Sequence, residues 1–97
     1  MRQVVFGPSA KKELIEALDW YKSRAPELGE RFITEIDTAV ARISEGPLRY
    51  PVVYKDLRRI RLRHFPYGLF YRVTESQLFV IACFHSNRDP KRWKERN

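Results

Sequence analysis

The sequence predicts an α+β fold in which a helical hairpin packs on an antiparallel sheet, in the order β-α-α-β-β-β with a basic C-terminal tail. Two segments of helical periodicity lie in the first half of the chain. The second half holds the segment Arg58–His85, in which three apolar runs are separated by two turn signals. Ninety-seven residues are enough for one core, so a single domain over residues 1–97 is expected.

The first half is predicted to form a short strand and two helices. Arg2–Phe6 is a strand candidate that Gly7 and Pro8 end, after which Ser9 suits an N-cap. The first helix then runs to about Ser23. Its buried stripe is expected to contain Ala10, Leu14, Ala17, Leu18 and Tyr21.

The second helix is predicted from Pro26 to about Glu45, where Gly46-Pro47 stops it. Its apolar stripe consists of Leu28, Phe32, Ile36, Val40 and Ile43. The tight connection between the helices predicts an antiparallel hairpin. Neither helix can bury its stripe alone, so the pair is expected to pack on the sheet.

The second half is predicted to form a meander. After a connection with a brief extended piece at Val52–Tyr54, the strands are expected at Arg58–His64, Tyr67–Thr74 and Leu78–His85. The first alternates, with Ile60 and Leu62 on one face and arginines on the other. The third is apolar on both faces and should be covered on both.

The register decides which residues share a face. If Arg63 pairs opposite Gly68, Arg61 faces Phe70 and Arg59 faces Arg72. An even-length second loop would then bring Val80, Ala82 and Phe84 to the core and place His85 on the arginine face. A one-residue slip would put His85 inside instead.

Charge is distributed unevenly along the chain. Residues 1–50 hold eight Lys/Arg and eight Asp/Glu, whereas residues 51–97 hold eleven and four, so the second half carries the whole net charge of +7. This asymmetry favours an anionic partner, with a solvated basic rim as the alternative. No apolar run is long enough for a membrane span, and the single cysteine, Cys83, suits a reducing cytoplasm. No cofactor or metal site is expected from one cysteine and two histidines.

Three groups of residues could bind or act on an anion. The arginines of the first meander strand, with Arg72 across the ladder, could bind phosphate or carboxylate, or could only protect the strand from edge pairing. His85 with Arg88 could be an acid or base beside a phosphate, or a hydrogen-bonded structural histidine. Trp93, with Arg92 in the basic tail, could stack on a base, although docking on the sheet is favoured. The candidate binding residues are Arg59, Arg61, Arg63, Arg72, Arg88, Arg92 and Trp93.

The ordered set of these segments resembles the RelE/ParE superfamily, the toxins of type II toxin–antitoxin pairs, over nearly the whole chain. The matching residues are Ala10, Glu13-Leu14, Ala17, Trp20-Tyr21, Gly29-Glu30-Arg31-Phe32, Tyr50-Pro51, Phe65-Pro66-Tyr67-Gly68-Leu69-Phe70-Tyr71-Arg72-Val73, His85, Arg88-Asp89-Pro90 and Trp93. The long hairpin and the Phe-Pro-Tyr-Gly run look more like the ParE branch. That resemblance implies a cytoplasmic toxin, associated with plasmid stabilisation, that inhibits DNA gyrase by binding.

Two alternatives stay open. The resemblance to the RelE branch implies a ribosome-dependent mRNA endoribonuclease, with Arg61, His85 and Arg88 as its catalytic candidates. Gly68 stands where that branch has an arginine after the tyrosine, so one cation of the nuclease set is missing. The other alternative is a nontoxic nucleic-acid-binding module. In either toxin branch, the implied partner is an antitoxin whose acidic, partly disordered C-terminal segment folds onto the basic half.

Overall fold

The computed structural model describes residues 2–87 and 90–96, and within them two long helices cover one face of a five-stranded sheet. The α+β fold and the helical hairpin are therefore confirmed. The elements are β1 (Gln3–Phe6), α1 (Pro8–Arg24), α2 (Pro26–Glu45), a 3₁₀ turn (Pro47–Arg49), β2 (Val52–Tyr54), β3 (Leu57–Arg61), β4 (Tyr67–Val73), β5 (Gln77–His85) and α3 (Lys91–Lys94).

The sheet is mixed rather than wholly antiparallel. Its strand order is β1-β5-β4-β3-β2, and β1 runs parallel to β5 with Gln3 opposite Gln77 and Phe6 opposite Val80. Strands β3 to β5 form the expected antiparallel meander, and β2, expected only as a brief extended piece, pairs antiparallel with β3. The helical hairpin carries the chain from β1 to the far edge of the sheet before the meander starts. The meander then returns toward β1, so the last strand, β5, lies beside the first.

Both helices form as predicted except at the start of α1. Pro8 occupies the first turn and Gly7 the N-cap, with no side-chain cap, so the prediction of Ser9 as N-cap is wrong. The reason is that the backbone N–H of Gly7 still belongs to the sheet, donating to the carbonyl of Val80 at 2.9 Å. The strand therefore leads directly into the helix, and proline sets the backbone angle that the first turn needs.

The main core lies between the hairpin and the sheet. Phe32 and Ile43 of α2 are fully buried there, together with Leu69 and Tyr71 of β4. The Tyr71 hydroxyl donates to the carbonyl of Pro47 at 2.7 Å, and burial raises the pKa of Tyr71 to about 12. Both predicted helical stripes face this core, and all their members except Leu28 are buried in it or partly buried against it.

A second, smaller core covers the opposite face of the sheet. Trp93 of α3 stacks on Phe70 at 4.3 Å between ring centroids and is 6% exposed. Ala82 and Phe84 lie in the same cluster. The docking of Trp93 is thereby confirmed, and so is the expectation that β5 is covered on both faces. Within the described ranges, no helix combines the length and apolarity needed to cross a bilayer.

The register of the meander differs from the expected one in two ways. Arg61, not Arg63, pairs with Gly68, so Arg59 lies opposite Phe70 rather than Arg72. A shift of two residues preserves the faces, and Ile60 stays on the helix side with Leu69.

The second difference changes a face. Phe70 lies opposite Ala82 and Tyr71 opposite Val80, so Ile81 is an extra residue in β5. Because of this bulge, only Val80 of the three predicted core residues faces the helices, whereas Ala82 and Phe84 face α3. The bulge also turns His85 to the helix side, opposite Tyr67, so of the two faces that the register left open for this residue it takes the one away from the arginines.

Candidate functional site

The arginines of β3 form a row on the sheet face that carries α3. Arg59 and Arg61 lie opposite Phe70 and Gly68, and Phe70 belongs to the cluster around Trp93. The aliphatic stem of Arg59 passes close to Gly68. A Cβ added at Gly68 would lie 3.3 Å from the Arg59 Cγ and 3.3 Å from the Ile60 carbonyl oxygen. Glycine at this position therefore gives the arginine stem its path across β4.

The charges of Arg59 and Arg61 act on each other. Partial burial and then the neighbouring charge of Arg61 lower the pKa of Arg59. Two guanidinium groups on the same side of one strand create a positive surface and repel each other. A bound carboxylate or phosphate would relieve this repulsion.

The other predicted binding residues are dispersed. Arg63 is exposed in the loop after β3, and Arg72 donates through Nε to Asp56 Oδ2 at 2.9 Å. Arg72 shares the sheet face of Arg59 without lying directly opposite it. Arg88 and the side chain of Arg92 lie outside the described part of the chain.

Two lysines extend the positive surface and were not identified from the sequence. The ammonium groups of Lys55 and Lys94 lie 5.3 and 5.1 Å from the ring centroid of Tyr54, which itself contacts Trp93. The lysines are 39 positions apart in the chain, so no local pattern joins them. We call Arg59, Arg61, Lys55 and Lys94 the basic face.

His85 lies apart from this surface. Its ring meets Tyr67 edge to face at 5.1 Å, and its Nδ1 accepts the backbone N–H of Asn87 at 3.1 Å. With Nδ1 occupied as an acceptor, the neutral ring carries its proton on Nε2. Since Tyr67 and Gly68 are consecutive on β4, their partners His85 and Arg61 project from opposite faces of the sheet.

A pocket of about 590 Å³ opens where His85 lies, between α1 and the end of β5. Its wall includes Glu13, Glu16, Trp20, Tyr21, Tyr67 and His85. Sequence reasoning did not identify it, although Glu13, Trp20 and Tyr21 belong to the motif in α1. The pocket is the second candidate site, on the opposite side of the sheet from the basic face.

One edge of this pocket is closed by an ion pair. Glu13 Oε1 accepts the backbone N–H of Cys83 at 3.0 Å, and both of its oxygens accept from Arg96, at 2.9 and 2.7 Å. Arg96 also donates to the carbonyl of Ile81. Burial, and then the charge of Glu13, raise the pKa of the Cys83 thiol to about 12, so the thiol stays protonated.

Comparisons with known proteins agree on one family. The family model described as the ParE toxin of type II toxin-antitoxin system, parDE, matches residues 4–90. "Toxin ParE2" from two strains of Mycobacterium tuberculosis is 30% identical over 79 residues, covering 80% of this chain and 75% of the relative. The solved structure of a chromosomal ParDE TA system from P. aeruginosa shares the fold, with a TM-score of 0.76 at 17% identity over 88% of this chain and 96% of that chain. The chain therefore belongs to the ParE toxin family of type II toxin–antitoxin systems.

Proposed function

We propose that this protein is a toxin that inhibits DNA gyrase by binding it, and that the basic face makes the contact. The observation that carries the proposal is the placement of Arg61 and His85 on opposite faces of the sheet. Metal-free RNA cleavage needs an acid, a base and a charge-stabilising cation around one phosphate. Side chains that leave a sheet in opposite directions cannot surround the same phosphate, which favours a binding toxin over a nuclease.

The local state of His85 supports the same proposal. A general base needs a free lone pair, but Nδ1 accepts the Asn87 N–H and Nε2 carries the proton. Gly68 adds to this, because it stands at the position where the nuclease branch is expected to have an arginine. In this chain the close approach of the Arg59 stem fills the space above that glycine.

The basic face suits the recognition of an acidic surface. Burial and then the repulsion from Arg61 lower the pKa of Arg59, and an anionic group bound between the two guanidinium groups would relieve that repulsion. The loss of one charge-assisted contact from such a face costs about 1.5–3 kcal/mol, roughly a tenfold to hundredfold loss of affinity.

An antitoxin is proposed as the natural partner. The relatives belong to ParDE pairs, and the second half of this chain carries the whole net charge of +7. An acidic segment that folds onto the basic half would neutralise this charge, and its affinity should fall as salt is added.

The first experiment is to induce the protein alone and pulse-label DNA and protein synthesis in parallel. The proposal expects DNA synthesis to stop first, and expects the purified protein to inhibit supercoiling by gyrase. Arg59→Ala with Arg61→Ala should weaken that inhibition at least tenfold, whereas His85→Ala and the exposed control Lys12→Ala should leave it unchanged.

A different order of arrest would overturn the proposal. If translation stops first and mRNA is cut in the presence of ribosomes, the protein is a nuclease, and His85→Ala should then lower cleavage by about 10²-fold or more. If neither synthesis stops, the chain is not a toxin of either kind.

A further inference from the structure

The pocket between α1 and β5 carries charge opposite to that of the chain as a whole. The described residues of its wall include the carboxylates of Glu13 and Glu16 and no lysine or arginine, in a protein of net charge +7. Glu13 is neutralised by Arg96 beside the pocket, whereas Glu16 is exposed on the rim. The pocket therefore complements a cation.

The remaining wall consists largely of aromatic rings. Trp20 is 52% exposed, unusual for so large an apolar side chain, and packs edge to face on Tyr21 at 5.1 Å. Tyr21 in turn meets Tyr67 at 6.2 Å. The ring of Trp20 already accepts one guanidinium, since Arg24 Cζ lies 4.5 Å from its centroid. Aromatic faces beside a carboxylate suit an ammonium or guanidinium on an aliphatic stem.

Among residues 2–87 and 90–96, the strand edge next to the pocket is only partly covered. β1 ends opposite Val80, whereas β5 continues to His85. The N–H of Ser86 donates to the carbonyl of Pro66 at 2.8 Å, so alternation turns the backbone groups of Cys83 and His85 away from β4, toward the outer edge. Glu13 and Arg96 already satisfy the first part of this edge, at Cys83 N–H and Ile81 C=O. The part near His85 is where a further strand could pair.

We propose that this pocket and edge bind an extended segment of a partner polypeptide, which pairs with the end of β5 and places an arginine or lysine side chain beside Trp20 and Glu16. The occupant is a basic segment, in contrast to the acidic antitoxin segment proposed for the basic half of the chain. The two surfaces lie on opposite sides of the sheet. The inference does not depend on gyrase being the target.

The requirement for a positive charge on the ligand is tested by calorimetric titration with the pentapeptide acetyl-Val-Thr-Arg-Thr-Val-amide. The control is the same peptide with citrulline in place of arginine, which removes the charge and keeps the shape of the side chain. The arginine peptide should bind at least tenfold more tightly, since carboxylate and ring contacts both need the charge. Glu16→Gln should remove most of that preference. Glu27→Gln, an exposed change on α2, should preserve it.

The strand pairing is tested separately. A peptide methylated at the arginine backbone nitrogen loses a strand hydrogen bond and should lose at least tenfold in affinity. If the methylated peptide, or N-acetyl-arginine amide alone, binds with equal affinity, the proposal that a polypeptide segment occupies this site is wrong. The pocket would then be a site for a small cation. Equal binding of the arginine and citrulline peptides, tighter binding of a glutamate peptide, or no binding of any peptide would overturn the inference as a whole.

Discussion

Glu13 and Arg96 form a two-bond ion pair that joins the middle of α1 to the end of the chain, with Nη2–Oε2 and Nη1–Oε1 distances of 2.7 and 2.9 Å. Only 15% of the Glu13 side chain and 23% of the Arg96 side chain is exposed. The pair substitutes for a neighbouring strand, because the carboxylate accepts an N–H of β5 and the guanidinium donates to a carbonyl of β5.

Removing Arg96 should destabilise the protein. Arg96→Ala leaves the Glu13 carboxylate half-buried with only the Cys83 N–H as a partner, and we expect a loss of about 1–3 kcal/mol in the free energy of unfolding. Urea denaturation measures it, with Lys12→Ala on the exposed side of α1 as the matched control. A loss no larger than that of the control would mean that the ion pair contributes nothing net.

Glu35 should make the free energy of unfolding depend on pH in the acidic range. Its Oε1 accepts the backbone N–H groups of Arg63 and His64 at 2.6 and 2.8 Å, and its Oε2 lies 2.9 Å from His64 Nδ1. Burial alone would raise the pKa of Glu35, but these hydrogen bonds together outweigh burial and lower it. A carboxyl whose pKa is lower in the folded state stabilises the fold above its unfolded pKa, and this contribution is lost as the pH falls through the folded value.

The measurement compares the wild type with Glu35→Gln in urea at several pH values. At pH 7 the variant should be less stable by about 1 kcal/mol, and this difference should shrink steadily below pH 4.5. Glu30→Gln, at an exposed position five residues earlier on α2, is the control. Parallel stability curves for wild type and Glu35→Gln would show that the carboxylate charge does not support the loop.

The close contact between Gly68 and Arg59 predicts a coupled pair of substitutions. Gly68→Ala should cost about 1–3 kcal/mol, because the added methyl meets the Arg59 stem and the Ile60 carbonyl. In an Arg59→Ala background the same change should cost clearly less, since one of the two neighbours has gone. A double-mutant cycle by urea denaturation gives the coupling, and a value near zero would mean that the backbone contact alone decides the cost.

Cys83 should be inert to thiol reagents in the native protein. It is 1% exposed, and the pKa of its thiol is raised to about 12, so thiolate and access are both lacking. Labelling with a chromogenic disulfide should follow global unfolding and accelerate with urea. A Cys83→Ala protein carrying Ser76→Cys at the exposed turn before β5 should label at once. Rapid labelling of native Cys83 would indicate that the Glu13–Arg96 edge opens locally.

The two helices and the strands of the meander were predictable because their signals are local. Pro26 and Gly46 delimit α2, and periods of 3.6 and 2 residues mark the faces of α2 and β3. The parallel pairing of β1 was not predictable in this way. It depends on contacts between residues more than 70 positions apart, such as Gln3 and Gln77, that leave no periodic trace in either segment.

The face of His85 could not be decided from the sequence for a related reason. The extra residue at Ile81 looks like any other apolar residue in an apolar run, so the sequence carries no mark of the bulge that changes the alternation. The candidate pocket was not predicted, because nothing distinguishes Glu13 from an ordinary helix residue until the strand edge that it caps is known.

The parallel contact between β1 and β5 has a consequence for how the protein is made. Synthesis delivers the N-terminal strand first, but its only neighbour among the described strands begins at Gln77. A nascent chain that ends before that point has both helices and no completed sheet for them to cover. Folding must therefore wait for nearly the whole chain, and such distant pairing is intrinsically slow. A product truncated before Gln77 should consequently be unfolded, because the strand that pairs with β1 is missing from it.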